Sequence, residues 1–164
     1  MTWTFSPEPY DSPVAAALWR AYYTEVSDRW YLLHEGRRTE PGELEREIAR
    51  HTGADLAPPV GQLLLARYGG EPAGSAGVRL LEGGGVAELT RVFLYPAVRG
   101  RGGAALLVGA AEDAARALGA GRMILDTRSD LVEARALYTR LGYAETERHN
   151  TDPYAEHWFA RTLG

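Results

Sequence analysis

The chain has 164 residues, a formal net charge of −4 and no cysteine. Its length and its 45% hydrophobic content fit one domain, residues 1–164, with a true core. The missing cysteines exclude disulfides, thiolate nucleophiles and thiolate metal sites, and the acidic balance disfavours general nucleic-acid binding. The opening MTWTFSPEPY lacks a basic start and a long apolar run. No stretch reaches the ~20 apolar residues of a membrane span. The expectation is a cytoplasmic protein with neither nucleic acid nor membrane as partner.

In chain order, Thr2 to Ser6 reads as a short strand. Ser12 and Pro13 form a helix start, cap then first residue, and Leu18, Tyr22 and Val26 follow at four-residue spacing. Ser27 to Arg38 reads as a loop carrying Trp30 and Tyr31, and Pro41 opens a second helix that Gly53 ends. Gln62 to Tyr68 and Pro72 to Leu81 read as strands joined at Gly69-Gly70, followed by a third from Val86 to Tyr95. Gly103 to Leu118 carries a helical stripe of Leu107, Ala111, Ala114, Ala115 and Leu118. Met123 to Thr127 reads as a buried strand. Asp130 and Glu133 are spaced as a capping box for a helix from Leu131 to Leu141. Strands near Tyr143 to Arg148 and His157 to Thr162 complete the order β-α-α-β-β-β-α-β-α-β-β. One crossover helix joins two parallel strands and the rest is antiparallel, so the fold class is α/β with a mixed sheet.

The most informative stretch runs from Glu88 to Ala104, ELTRVFLYPAVRGRGGA. An apolar strand stops at Pro96, passes through an arginine-glycine loop and enters a helix. The free N–H groups and macrodipole of a helix start favour an anion. Gly100, Gly102 and Gly103 allow close backbone approach, while Arg99 and Arg101 add charge suited to phosphate oxygens. A phosphorylated ligand is therefore expected. Read as Gly100-x-Gly102-x-x-Ala105, with Asp126 ending the next apolar run, the loop matches a dinucleotide fingerprint. Against that reading, six residues separate Tyr95 from Gly102, where a dinucleotide fold puts its fingerprint straight after the strand, and only about 38 residues follow Asp126, room for one more helix and two strands.

Read as Arg99-x-x-Gly102-x-Ala104, the same loop resembles the acetyl-coenzyme A loop of the GNAT N-acetyltransferases, whose pattern is R/Q-x-x-G-x-G/A after an apolar strand and a proline. A second run, Ala134-x-x-Leu137-Tyr138-x-x-Leu141-Gly142-Tyr143, is similar to that family's A-x-x-L-Y-x-x-x-G-F/Y. The two in this order, about 30 residues apart, carry the resemblance. It implies a GNAT-like acyl-coenzyme A N-acyltransferase fold and acetyl-coenzyme A as co-substrate, with no metal. It further implies that Val92, Phe93 and Leu94 pair with the pantetheine arm. Arg99, Gly100, Arg101, Gly102, Gly103 and Ala104 would hold the pyrophosphate through their N–H groups. Leu131 stands where the family often has an asparagine that touches the pantetheine.

The resemblance makes Tyr138 the general acid for the leaving thiolate; the alternative, from its place on the helix stripe, is a core tyrosine. A thiol near pKa ~8.5 and a tyrosine near ~10 make that transfer nearly balanced. For the base, Glu88 sits where some family members carry a glutamate, and strand alternation puts Glu88, Thr90, Val92 and Leu94 on one face. It reads equally as an ion-paired strand glutamate. Asp126 is the competing candidate, and His149, Glu156 and His157 are weaker ones. Four scattered histidines show no metal-ligand spacing. The acceptor, a primary amine of a small molecule (a small amine, an amine-bearing antibiotic or an amino acid) or else a protein N-terminus, is expected between the first two helices and the last strands, near aromatic side chains such as Trp19, Tyr22, Tyr23 and Trp158. The alternatives are a non-catalytic coenzyme A-binding sensor and a small NAD(P)-binding oxidoreductase. For assembly, a homodimer is the default expectation.

Overall fold

The computed structural model describes residues 1–164. β1 (Trp3–Glu8) leads into α1 (Pro13–Glu35) and α2 (Pro41–Arg50). Three antiparallel strands follow, β2 (Gly61–Tyr68), β3 (Glu71–Leu80) and β4 (Val86–Leu94). A 3-10 turn at Pro96–Val98 precedes α3 (Gly103–Ala117), β5 (Arg122–Thr127), α4 (Val132–Arg140), β6 (Ala144–Thr146) and β7 (His157–Thr162). The order agrees with the sequence reading. One seven-stranded sheet runs β1-β2-β3-β4-β5-β7-β6. No helix is long and apolar enough to cross a membrane.

The strand periodicity divides the core between two faces. Leu64, Ala66, Val78 and Leu89 face the buried stripe of α3, Leu107, Val108, Ala111 and Ala115. Leu65 and Phe93 face α1 through Leu18 and Tyr22. Burying a leucine such as Leu107 contributes roughly 1.5–3 kcal/mol, so the α3 stripe anchors its side of the sheet. Glu112 is buried on α3, where the Tyr143 hydroxyl donates to it at 2.8 Å and Arg161 at 2.7 Å, tying α3 to β7.

The sheet is continuous everywhere except between β4 and β5. These strands run parallel and pair only over Val86–Glu88 and Arg122–Ile124. Beyond that, Leu89–Leu94 pair with β3 alone and Leu125–Thr127 with β7 alone, so the two strands splay toward their C-terminal ends.

Four expectations are corrected. First, α1 continues to Glu35, so Trp30 and Tyr31 are helical; residues 27–35 hold no glycine or proline, and the helix stops only at Gly36, left-handed at φ 67°. Second, α2 stops at Arg50, capped by His51 rather than by Gly53. Third, the capping box does not form: Arg128 takes both oxygens of Asp130, at 2.9 and 3.0 Å, and Arg29 takes Glu133. Charged partners outbid the N-terminal amides there. Fourth, the alternation of β4 breaks at Arg91, which has φ 56° and forms a bulge opposite Ala76. Glu88 and Thr90 therefore share a face with Phe93, while Val92 and Leu94 turn to the α3 side.

Candidate functional site

At the open end of the split, β4 runs through the 3-10 turn into α3. Gly100 and Gly102 adopt φ 79° and 78°, which a side chain would disfavour. None of the six consecutive N–H groups from Gly100 to Ala105 has a backbone partner. Successive amides in such a turn at a helix start form a concave anion site. The Arg99 amide is not among them, because it donates to Pro96 O at 3.3 Å. Its guanidinium is committed as well: Nε donates to Leu94 O at 2.9 Å and Nη2 to Glu25 at 2.8 Å. Arg99 braces the loop against β4 and α1, so the open amides begin one residue later than the sequence suggested. Arg101 lies over the Tyr68 ring at 5.6 Å, and its carbonyl accepts from Trp3 Nε1 at 3.0 Å. Gly103 is buried against the same indole, which a Cβ would overlap.

The unpaired edge of Leu89–Leu94 is the second element. It offers backbone groups along one side of the split, with Val92, Phe93 and Leu94 past the bulge. Leu94 O already accepts from Arg99. An extended ligand arm can add to such an edge as a strand would.

The third element is a group of titratable side chains across the split. Asp126, near the end of β5, accepts from Asn150 Nδ2 at 2.6 Å. Burial raises its pKa above the usual carboxylate range; the Asn150 bond pulls the other way, and Asp152 and Glu88 add to the rise. Tyr138 is buried on α4, with Tyr143 and Phe159 rings at 5.8 and 6.2 Å. Burial, then Tyr22 and Asp126, push its hydroxyl well above the ordinary value. Tyr22 lies on the α1 face and Tyr138 on the α3 face, and the charge of Asp126 reaches both.

Glu88 stands where β4 and β5 part, and Arg79 Nε binds it at 2.9 Å. That favours the ion-paired reading of this residue. Of the weaker candidates, His149 lies close enough to act on Asp126, and both its ring nitrogens are buried without partners. His157 meets Ser129 at 3.0 Å and Glu145 at 3.2 Å, and Glu156 accepts from the Ser129 amide at 3.1 Å, so both are held in structural contacts. The aromatic residues form two groups: Trp19 with Tyr22 and Tyr23 on α1, and Trp30 with Tyr154, 5.6 Å apart. Trp158 donates to Asn150 Oδ1 at 3.1 Å. No group of three or more acidic or histidine side chains is arranged to hold a metal ion.

Sequence reasoning missed Trp3, Asn150 and Arg91. Trp3 acts on a loop 98 residues away, and Asn150 lies in a loop without periodicity. A left-handed arginine has no sequence signature.

A split mixed sheet with one crossover helix and an amide nest at its open end has the free edge and the donors suited to an extended, anionic ligand. Comparison with known proteins gives this architecture its family. Residues 15–143 match the acetyltransferase (GNAT) family. The uncharacterized N-acetyltransferase YjgM of Escherichia coli is 38% identical over 81 residues, 48% of each chain. A GNAT-family acetyltransferase structure from Staphylococcus aureus superposes with a TM-score of 0.77 at 12% identity, covering 99% of this chain and 100% of that one. The PaiA N-acetyltransferase of Thermoplasma acidophilum, solved in complex with coenzyme A, gives 0.72 at 14% identity and 99% of both chains. The chain belongs to the GNAT acetyltransferase family. It spans between 48% and 60% of the length of the curated relatives it matches.

Proposed function

We propose that this protein is an acetyl-coenzyme A-dependent N-acetyltransferase that acts on a primary amine of a small molecule by direct attack. The observation that carries the reading is the presence, at one open end of a split sheet, of six unpaired amides and a half-buried carboxylate. The residues present fit the co-substrate. Gly100 to Ala105 would hold its pyrophosphate, and the free edge around Val92 and Phe93 would hold its arm. When bound, it supplies an acetyl thioester and a thiolate leaving group.

The chain's own groups then have two proton tasks. An alkylammonium with pKa ~10.4 must lose a proton, which at neutral pH costs roughly 4–5 kcal/mol. Asp126 is the stronger candidate for accepting it: burial raises its basicity, and Asn150 fixes its orientation. Glu88 is the second candidate, restrained by Arg79. Tyr138 is the candidate for protonating the thiolate; its raised pKa keeps it protonated across neutral pH but makes the transfer to sulfur uphill rather than balanced. As the nitrogen–carbon bond forms, the carbon–sulfur bond breaks; one proton leaves the amine and one reaches sulfur. The absence of cysteine excludes a thiol-based ping-pong route.

The test is turnover of an amine panel by wild type, Asp126→Asn and Glu88→Gln. Removing a general base lowers kcat by about 10²–10⁴-fold. We expect that loss for Asp126→Asn and less than about tenfold for Glu88→Gln. The reverse pattern makes Glu88 the base. Coenzyme A binding with no turnover of any amine by wild type would instead fit a sensor.

A further inference from the structure

Under α1 lies a cavity of about 260 Å³, walled by α1, the end of α2 and the β2–β4 face. Its hydrogen-bond donors include those of Trp19, Ser75 and Arg91. Trp19 Nε1 is buried and has no partner. An indole N–H is a donor only, so whatever satisfies it must accept. Ser75 on β3 contributes a buried hydroxyl. Arg91 contributes a guanidinium that stacks over the Trp19 ring and donates to His51 O at 3.3 Å, yet pairs with no carboxylate. Burial lowers its pKa to about 10, so it remains a cation at neutral pH. The other arginine on the cavity wall, Arg20, is already paired with Glu45. Among the lining residues the only carboxylate, Asp11, is exposed.

The backbone is arranged around this guanidinium. The bulge puts Arg91 at φ 56° and takes it out of the strand's alternation. Gly53, itself at φ 82°, leaves the room it occupies, since a Cβ there would strike its Nη1. A half-buried guanidinium that pairs with no carboxylate, beside an orphan N–H, is the complement of a carboxylate: planar, with two accepting oxygens. The cavity also adjoins the reaction site. Tyr22 packs on Phe93 at 6.0 Å, two residues beyond Arg91, and the charges of both Arg91 and Asp126 reach its hydroxyl.

We propose that this cavity binds the carboxylate of the acceptor, so that the acceptor is an amine that also carries a carboxylate, an amino acid or ω-amino acid in chemistry, selected by Arg91. A carboxylate held there directs the rest of the ligand past Tyr22 toward Asp126. The inference rests on the acetyltransferase reading above.

The test is calorimetric titration of the coenzyme A-loaded protein. The ligands are the proteinogenic L-amino acids, β-alanine and 4-aminobutyrate, each beside its carboxamide and its decarboxylated amine. At least one carboxylate is expected to bind at least about tenfold tighter than its carboxamide. Arg91→Gly and Arg91→Asn, residues that tolerate the left-handed backbone, should erase that preference and leave acetyl-coenzyme A affinity within about twofold. Equal or better binding of the uncharged partners, a preference that survives both substitutions, or no binding across the panel overturns the proposal. Each of these leaves acetyl transfer standing. Failure of wild type to bind acetyl-coenzyme A removes both.

Discussion

The indole Nε1 of Trp3 donates to the carbonyl of Arg101 at 3.0 Å, joining the first strand of the sheet to the loop that opens α3. The same ring fills the space that a side chain at Gly103 would need. Using its carbonyl in this way fixes the peptide plane after Arg101 and turns the following amide outward. Trp3→Phe removes the hydrogen bond and keeps much of the packing. It should weaken acetyl-coenzyme A binding by about three- to tenfold, with a stability loss of about 1 kcal/mol. Titration and thermal melting check the two effects separately.

Gly103→Ala should be costly for a different reason. Overpacking a filled site typically costs about 1–3 kcal/mol, and here the obstacle is a rigid indole ring. Combining it with Trp3→Ala should cost less than the sum of the single changes, because the second substitution removes the ring that the methyl strikes. Urea melts of the four proteins measure that coupling.

Asp126 gives a pH prediction. Its folded pKa is raised by burial, so the native state binds its proton more tightly than the unfolded chain. Below the unfolded value of about 4 both states are protonated and there is no penalty. As pH rises from there through the folded pKa, the unfolded chain ionises first and the native state loses stability. Asp126→Asn keeps an oxygen for Asn150 and removes the charge. It should melt higher than wild type at pH 7, with the gain shrinking toward pH 4, while acetyl transfer falls. An unchanged melting temperature at pH 7 would contradict this.

Tyr138 packs against Tyr143 and Phe159, and its hydroxyl contributes no hydrogen bond to the fold. Tyr138→Phe should therefore alter stability by less than about 1 kcal/mol. If the hydroxyl protonates the leaving thiolate, kcat should fall about ten- to a hundredfold with KM nearly unchanged. A kcat equal to wild type would leave Tyr138 as a core residue only.

The order of elements was legible because its signals are local: alternating strands, the α3 stripe, and glycines at Gly69 and Gly102 that take left-handed turns. The loop was legible for the same reason. Four features were not. The length of α1 depends on the lack of a breaker through residues 27–35, where aromatic and charged residues give no clean period. The Asp130 and Glu133 spacing suits a cap, but Arg128 and Arg29 compete for both carboxylates, and Arg29 comes from another helix. The bulge at Arg91 moved Val92 to the other face, and nothing in the neighbouring residue types marks it. Arg99 was expected at the phosphates and instead bridges Leu94 and Glu25, an acidic partner 74 residues away.

Under the proposed function, the amide nest from Gly100 to Ala105 binds the pyrophosphate of acetyl-coenzyme A. Calorimetric titration of wild type and Gly102→Asp with acetyl-coenzyme A, beside NADH and NADPH, tests it most directly. The substitution sets a carboxylate and a strained left-handed residue at the mouth of the nest. Micromolar binding of acetyl-coenzyme A alone is expected, weakened at least about tenfold in the variant. Binding that the substitution leaves intact, or a preference for the nicotinamide cofactors, would contradict it.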